Sequence, residues 1–258
     1  MKKLIPIVLF LLVAITACKS PEKTETITDK KETFTDKIEN AHQKEAFLAK
    51  EAVQFDVVLN FGGKERLNAK MTTLTNSSKS VIEFKNGSKI ITDGDKVFYS
   101  ADILSEESVR FDAYTWNYFF LFPNKLSDPG TIWNPYENKE KDNANYNTEK
   151  LTFKSGTGDA PDDWYIVYAD KKTNLVDKAT YIVTLKAGKE EAEKDPHAIQ
   201  YLNYEKVDGV PIATKWIFWG WKEGLGLTDE LGNATLSNIK FIKADQNYFK
   251  PGADFKTK

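Results

Sequence analysis

Cysteine occurs once in the 258 residues, as Cys18, histidine twice, as His42 and His197, and arginine twice, as Arg66 and Arg110. A single cysteine close to the N-terminus leaves the rest of the chain without a disulfide and without thiolate chemistry, so its stability has to come from core packing. The two histidines stand alone, His42 in a helical stretch and His197 after Asp195-Pro196, and read as satisfied, partly exposed side chains rather than as a base or a metal ligand. There is no Gly-x-Ser-x-Gly elbow, no His-Glu-x-x-His pair and no phosphate-binding Gly-Lys-Ser/Thr loop. Asp159, Asp162 and Asp163, like Asp93 and Asp95, sit at turn-like positions whose spacing fits no calcium loop, and they read as turn chemistry. Nothing singles out a carboxylate pair for glycoside hydrolysis from the 38 acidic side chains. The expectation is a protein that is not an enzyme and that needs no cofactor or metal. Its 36 basic residues against 38 acidic ones, a formal charge of −2, leave no basic excess for nucleic acid.

What the chain does have begins at its N-terminus. Lys2 and Lys3 precede the apolar run Leu4 to Ile15, which is too short for a comfortable permanent membrane span. The run closes on Ile15-Thr16-Ala17-Cys18, which resembles the lipobox of bacterial lipoproteins. That resemblance implies cleavage after Ala17 and lipid modification of Cys18, hence a membrane anchor, with residues 1–17 as the signal peptide. Residues 18–32 read as a lipidated tether, because KSPEKTETITDKK is polar, mixed in charge and poor in large apolar side chains.

From residue 33 to 258 the composition predicts one folded domain, and its 6 Trp, 11 Tyr and 16 Phe supply ample core material. Thr33 to Lys50 reads as one amphipathic helix from the spacing of Phe34, Ile38, Ala41 and Leu48. A period of two then takes over in Phe55, Val57, Leu59 and Phe61, and further short strands follow, turned by Gly62-Gly63, Asn86-Gly87 and Asp93-Gly94. Ser105 opens a helix that runs through Phe111 to Leu121, apolar almost all round, and stops at Pro123. Residues 124–148 read as a mobile loop. Strands resume at Leu151-Phe153, Trp164-Tyr168, Thr180-Leu185, Ile199-Tyr204, Thr214-Trp221 and Leu236-Ile242.

This order of elements, with the phrases TDGDKVFYS, YIVYADKKTNLVDKATYIV and YEKVDGVPIATKWIFW, resembles the lipoprotein-carrier superfamily with the LolA/LolB-like fold, in its uncharacterised secreted lipoprotein branch. The resemblance implies an α+β fold: a curved antiparallel sheet forming an incomplete barrel, its concave face covered by helices, with an apolar cavity between. Residues 124–148 are more than a compact carrier needs, and no stretch matches the exposed loop with which a receptor places lipoproteins in a membrane.

Two aromatic stretches carry the candidate site. In Trp216-Ile217-Phe218-Trp219-Gly220-Trp221 strand alternation makes both faces apolar. Three readings stand: packed core, a cavity wall for an acyl chain, or sugar-stacking platforms. The helical segment adds Tyr114, Trp116, Phe119 and Phe120, so the candidate ligand-binding set is Tyr114, Trp116, Phe119, Phe120, Trp216, Phe218 and Trp219. Arg66 and Arg110 could hold a head group at a cavity mouth or serve the surface. The functional expectation is a lipid-anchored envelope protein, at the outer membrane facing the periplasm or at the cell surface, binding a lipid or the acyl chains of a partner lipoprotein. The alternative is a structural or sensing component of an envelope complex, with a protein partner and a collapsed cavity.

Overall fold

In Ala52–Phe61 (β1) the side chains of Val53, Phe55, Val57 and Leu59 all point to one face and are buried there, as a period of two requires. The computed structural model that gives this arrangement describes residues 31–103, 105–185 and 188–258. The leader, Cys18 and the tether up to residue 30 lie outside the described residues. Gly62-Gly63, both in the left-handed region, return the chain into β2 (Lys64–Leu74). Three short strands follow, β3 (Lys79–Phe84), β4 (Lys89–Asp93) and β5 (Lys96–Tyr99), joined at the turns expected around Gly87 and Gly94.

The second half supplies β6 (Thr131–Pro135), β7 (Tyr146–Phe153), β8 (Tyr165–Asp170), β9 (Val176–Tyr181), β10 (His197–Val207), β11 (Val210–Lys222), β12 (Gly226–Ile242) and the two-residue β13 (Lys256–Thr257). Among the described residues these form one antiparallel sheet of 13 strands in the order β13-β5-β4-β3-β2-β1-β12-β11-β10-β9-β8-β7-β6. The pairing of β1 with β12 joins the two meanders, and β13 and β6 are left as edges, so the sheet is open. The α+β, incompletely closed architecture is the one expected. The two longest strands, β11 and β12, run near the middle, and β12 extends ten residues further toward the N-terminus than Leu236.

The helices differ in detail from the expectation. Thr33 to Lys50 is two helices, α1 (Phe34–Ala41) and α2 (Lys44–Leu48), broken at Gln43, whose φ of 56° is left-handed. Thr33 and Asp36 close a capping box at the start of α1. The break lets His42 turn inward: it is fully buried, not partly exposed, and its Nε2 accepts a hydrogen bond from the Val176 N–H at 3.0 Å. Burial alone pushes the His42 pKa down to about 3, so the ring is neutral at any ordinary pH. His197 is the first residue of β10, half-buried beside Tyr181.

The central helix, α3 (Val109–Leu121), follows a short 3-10 turn at Glu106–Ser108, and Ser105 makes no side-chain cap. Its first turn is held instead by Asp112, which accepts from Arg66 at 2.6 and 2.8 Å, from Ser108 Oγ at 2.9 Å and from Trp116 Nε1 at 2.8 Å. A carboxylate here also faces the positive end of the helix. The stretch 124–148 is no loose loop. It contains β6 and continues to Glu140, a buried carboxylate on the opposite face of the sheet. Glu140 accepts from Tyr168 at 2.6 Å, Trp221 at 2.9 Å and Lys178 at 2.7 Å. Burial raises the Glu140 pKa, but those three donors outweigh it and hold the carboxyl below its ordinary value. Gly226 is needed beside it, because a Cβ there would lie 2.9 Å from Glu140 Oε2.

Candidate functional site

The main core lies between α3 and the inner face of the sheet, and its two ends differ. Toward β1 and β11 the space is filled. Phe120 stacks on Phe55 with ring centroids 4.2 Å apart, Trp116 meets Phe218 edge-on at 6.0 Å, and Tyr201 meets Trp216 at 6.2 Å. The Tyr201 hydroxyl donates to the carbonyl of Phe119 at 2.9 Å, tying β10 to the helix. Trp216 and Phe218 are 1% and 0% exposed. These are packed aromatic pairs in tilted, edge-on and stacked arrangements.

Toward β7, β8 and β9 the core opens into a cavity of about 610 Å³. Its roof is the outer side of α3 and its floor is Phe153, Tyr165, Tyr181 and Val183. Its rim comes from the β4–β5 turn and from segments 125–131 and 156–163. The two rim segments meet where Gly130, with φ of 97°, lies so close to Thr157 that no Cβ would fit. The volume is in the range of small-molecule sites.

Four of the seven aromatic candidates, Trp116, Phe120, Trp216 and Phe218, belong to the filled end. Tyr114 and Phe119 line the open cavity. Trp219 does neither. Alternate residues of β11 point to opposite sides, so Trp219 packs on the outer face with Trp164, Tyr168 and Trp221. Both faces of this strand are apolar, as expected, but only one belongs to the helix-covered side. Cys18 lies outside the described residues. Both arginines are committed: Arg66 to Asp112, and Arg110, on the cavity rim, to Asp159 through Nε at 2.9 Å and through a second, shorter contact.

The sequence reading missed the polar part of the lining. Tyr118, Tyr165 and Tyr181 line the cavity, and among the described residues their hydroxyls make no hydrogen bond within the protein. Burial raises the pKa of all three, and the Asp163 carboxylate adds to the shift, so the phenols stay neutral. Asp163 is engaged only through Oδ1, by the Thr184 N–H at 2.8 Å and hydroxyl at 2.7 Å. Burial, with Asp162 and Asp159 nearby, raises its pKa against those two hydrogen bonds. Asn117 is 8% exposed and lines the cavity, and its Oδ1 has no partner among the described residues. The signal was present in YIVYADKKTNLVDKATYIV, whose hairpin sets Tyr165 directly opposite Tyr181. Among the described residues no group of histidines and carboxylates could hold a metal ion, and no helix is long and apolar enough to cross a membrane.

The model of a family of unknown function, DUF6503, matches residues 7–215. No curated protein matches the chain. A LolA superfamily protein of Nitrosomonas europaea, 13% identical, superposes with a TM-score of 0.54 over 83% of this chain and 97% of its own. An outer membrane lipoprotein-sorting protein domain of Vibrio parahaemolyticus, also 13% identical, gives 0.52 over 84% and 97%. At that identity the likeness is one of fold, and the fold is LolA-like.

Proposed function

This chain belongs to DUF6503, and we propose that it is a non-enzymatic, lipid-anchored envelope protein that binds an amphiphile, a lipid or the acyl chains of a partner lipoprotein, in the cavity beside α3. Cys18 carries the anchor, residues 18–32 are the tether, and residues 33–258 form a single half-barrel domain held at the outer membrane facing the periplasm or at the cell surface. The observation that carries the reading is the 610 Å³ cavity between helix and sheet, walled by Phe111, Phe119, Phe153 and Val183. Tyr114 and Phe119 are its ligand contacts from the original aromatic set.

Organic extraction of the purified full chain followed by mass spectrometry should release a bound amphiphile beyond the protein's own acyl anchor. A Thr115→Trp variant, which places a large ring in the cavity, should come out empty. If the wild-type protein carries nothing and takes up no amphiphile, the reading fails. Metabolic labelling with a radioactive fatty acid tests the anchor, and a Cys18→Ser chain that still incorporates label would refute it.

The second reading, a structural or sensing component with a protein partner, is favoured by the filled end of the same interface, where Trp116, Trp216 and Phe218 leave no room for a ligand. A stoichiometric partner recovered with the Thr115→Trp variant as well as with the wild type would support it.

A further inference from the structure

We propose that the polar end of the cavity is built for a cation, so that the ligand is an amphiphile with an ammonium head rather than a fatty acid or an anionic lipid. This rests on the ligand-binding reading above and specifies the class of ligand. The first support is the charge balance of the lining. Asp95, Asp128, Asp159 and Asp163 stand against Arg110 and Lys125. Both cations are already matched, Arg110 by Asp159 and Lys125 by Asp128 at 2.5 Å. An incoming carboxylate or phosphate would find no free cation and two surplus carboxylates. An ammonium would find those carboxylates uncompensated.

Ring geometry gives the second support. Tyr165 lies at the centre of an aromatic wall: Tyr181 is stacked on it with centroids 6.0 Å apart, Tyr118 is at 5.7 Å, and Phe153 meets it edge-on at 6.1 Å. The rings stack on one another, so what this wall offers a cation is its hydroxyl oxygens, and a nearby carboxylate strengthens the attraction. Asp163 is that carboxylate, pinned by Thr184 through one oxygen and leaving Oδ2 uncommitted.

The third support is the inventory of unused hydrogen-bonding groups. The hydroxyls of Tyr118, Tyr165 and Tyr181 and Asp163 Oδ2 can all accept, and none has a donor among the described residues. A primary ammonium brings three donors and no acceptor. A carboxylate head brings acceptors only; the Asp163 carboxylate would oppose it, and only hydroxyls and the Asn117 amide could donate to it. Buried acceptors left without donors cost free energy, so the site discriminates by what it leaves unpaired.

The test compares three short, freely soluble probes of equal chain length: octylammonium, octanoate and octan-1-ol. Each is titrated calorimetrically into the full chain reconstituted in phosphatidylcholine nanodiscs, with empty nanodiscs as the blank. Octylammonium should bind at least 10-fold more tightly than octanoate, with octanol between them. Asp163→Asn, which keeps an oxygen for Thr184, should cut the preference to 3-fold or less. Tyr165→Phe, which keeps the ring, should weaken octylammonium by less than Asp163→Asn does. If all three probes bind equally, or octanoate binds best, the cation preference is wrong while the cavity remains a ligand site. If none binds above the blank, both readings fall together.

Discussion

The two ends of the α3–sheet interface use the same kind of residue to opposite effect. At one end Phe55, Trp116, Phe120, Trp216 and Phe218 interlock, and the polar groups set among the rings are paired: Asp112 takes the Trp116 indole N–H and the Phe119 carbonyl takes the Tyr201 hydroxyl. At the other, Tyr118, Phe153, Tyr165 and Tyr181 line a cavity, and hydroxyls, a carboxylate oxygen and an amide oxygen go without partners. Close packing with satisfied polar groups is what stability selects. Open space lined by unused hydrogen-bonding groups is what binding selects. Aromatic content alone therefore does not locate a site; the state of the polar atoms among the rings does.

The contrast breaks most visibly at Trp216. Trp216→Ala should destabilise the fold by about 3–5 kcal/mol, since a fully buried ring leaves a cavity that its neighbours cannot close. Val183→Ala, in the lining of the existing cavity, should cost less than about 1 kcal/mol, since its surroundings already include open space. Urea titration of the two variants checks the pair; equal losses would mean the two ends are packed alike.

Asp112 comes next. Asp112→Ala strips the acceptor from the buried Trp116 N–H and from Ser108, and frees Arg66, which is exposed enough to rehydrate. The cost should be about 2–3 kcal/mol, most of it from the stranded indole. Asp112→Asn, which retains an acceptor for Trp116, should recover part of the loss in the same urea assay.

His42 sharpens the comparison through pH. Its pKa is about 3 in the folded chain and near 6.5 when unfolded. Below 6.5 the unfolded chain therefore binds a proton that the folded chain refuses. Its contribution is fully present above pH 6.5 and is lost as the pH falls toward 3, at a limiting slope of about 1.4 kcal/mol per pH unit. Asp163 and Asp177, whose pKa values burial raises, push the other way, because each takes up its proton more readily in the folded chain. His42→Gln can keep an acceptor for the Val176 N–H and removes the titration. The wild-type loss of stability between pH 6.5 and pH 5, followed by denaturant midpoint, should exceed that of the variant. Parallel profiles would show that the imidazole is not buried neutral.

How much of this was legible in the sequence depended on range. The period-two run of β1, the Asn86-Gly87 turn and the apolar segment ending at Pro123 are local signals, and each became the expected element. The aromatic strand was also read correctly as apolar on both faces, although Trp219 was assigned to the ligand set when it faces away from the helix. The break at His42-Gln43 was hidden because Ile38 and Phe47 keep one apolar stripe across both helices, and only the distant Val176 N–H explains why His42 turns in. β6 was hidden by Asn134 and Pro135, which an edge strand tolerates and a central one does not. The cavity was least legible of all. It exists because Tyr165 and Tyr181 are brought opposite each other by β8–β9 pairing and set beneath Tyr118, some forty residues and more away in sequence.

The smallest expected effect is the most direct probe of the contrast, because it removes one oxygen from each end. Tyr201→Phe deletes a buried hydroxyl that donates to the Phe119 carbonyl at 2.9 Å. The carbonyl loses its donor in a buried site, and the cost should be about 1 kcal/mol. Tyr165→Phe deletes a hydroxyl that has no partner among the described residues, in a ring whose stacking on Tyr181 and edge contact with Phe153 are unchanged. Its effect on stability should lie within about 0.5 kcal/mol of zero. The two denaturant midpoints can be read on the same day against the same wild type. A Tyr165→Phe variant as damaged as Tyr201→Phe would mean that its hydroxyl holds the fold together, and the polar end of the cavity would then be structure rather than site. A neutral Tyr165→Phe beside a destabilised Tyr201→Phe leaves the Tyr165 oxygen with no role in folding, which is the condition for its being there to meet something else.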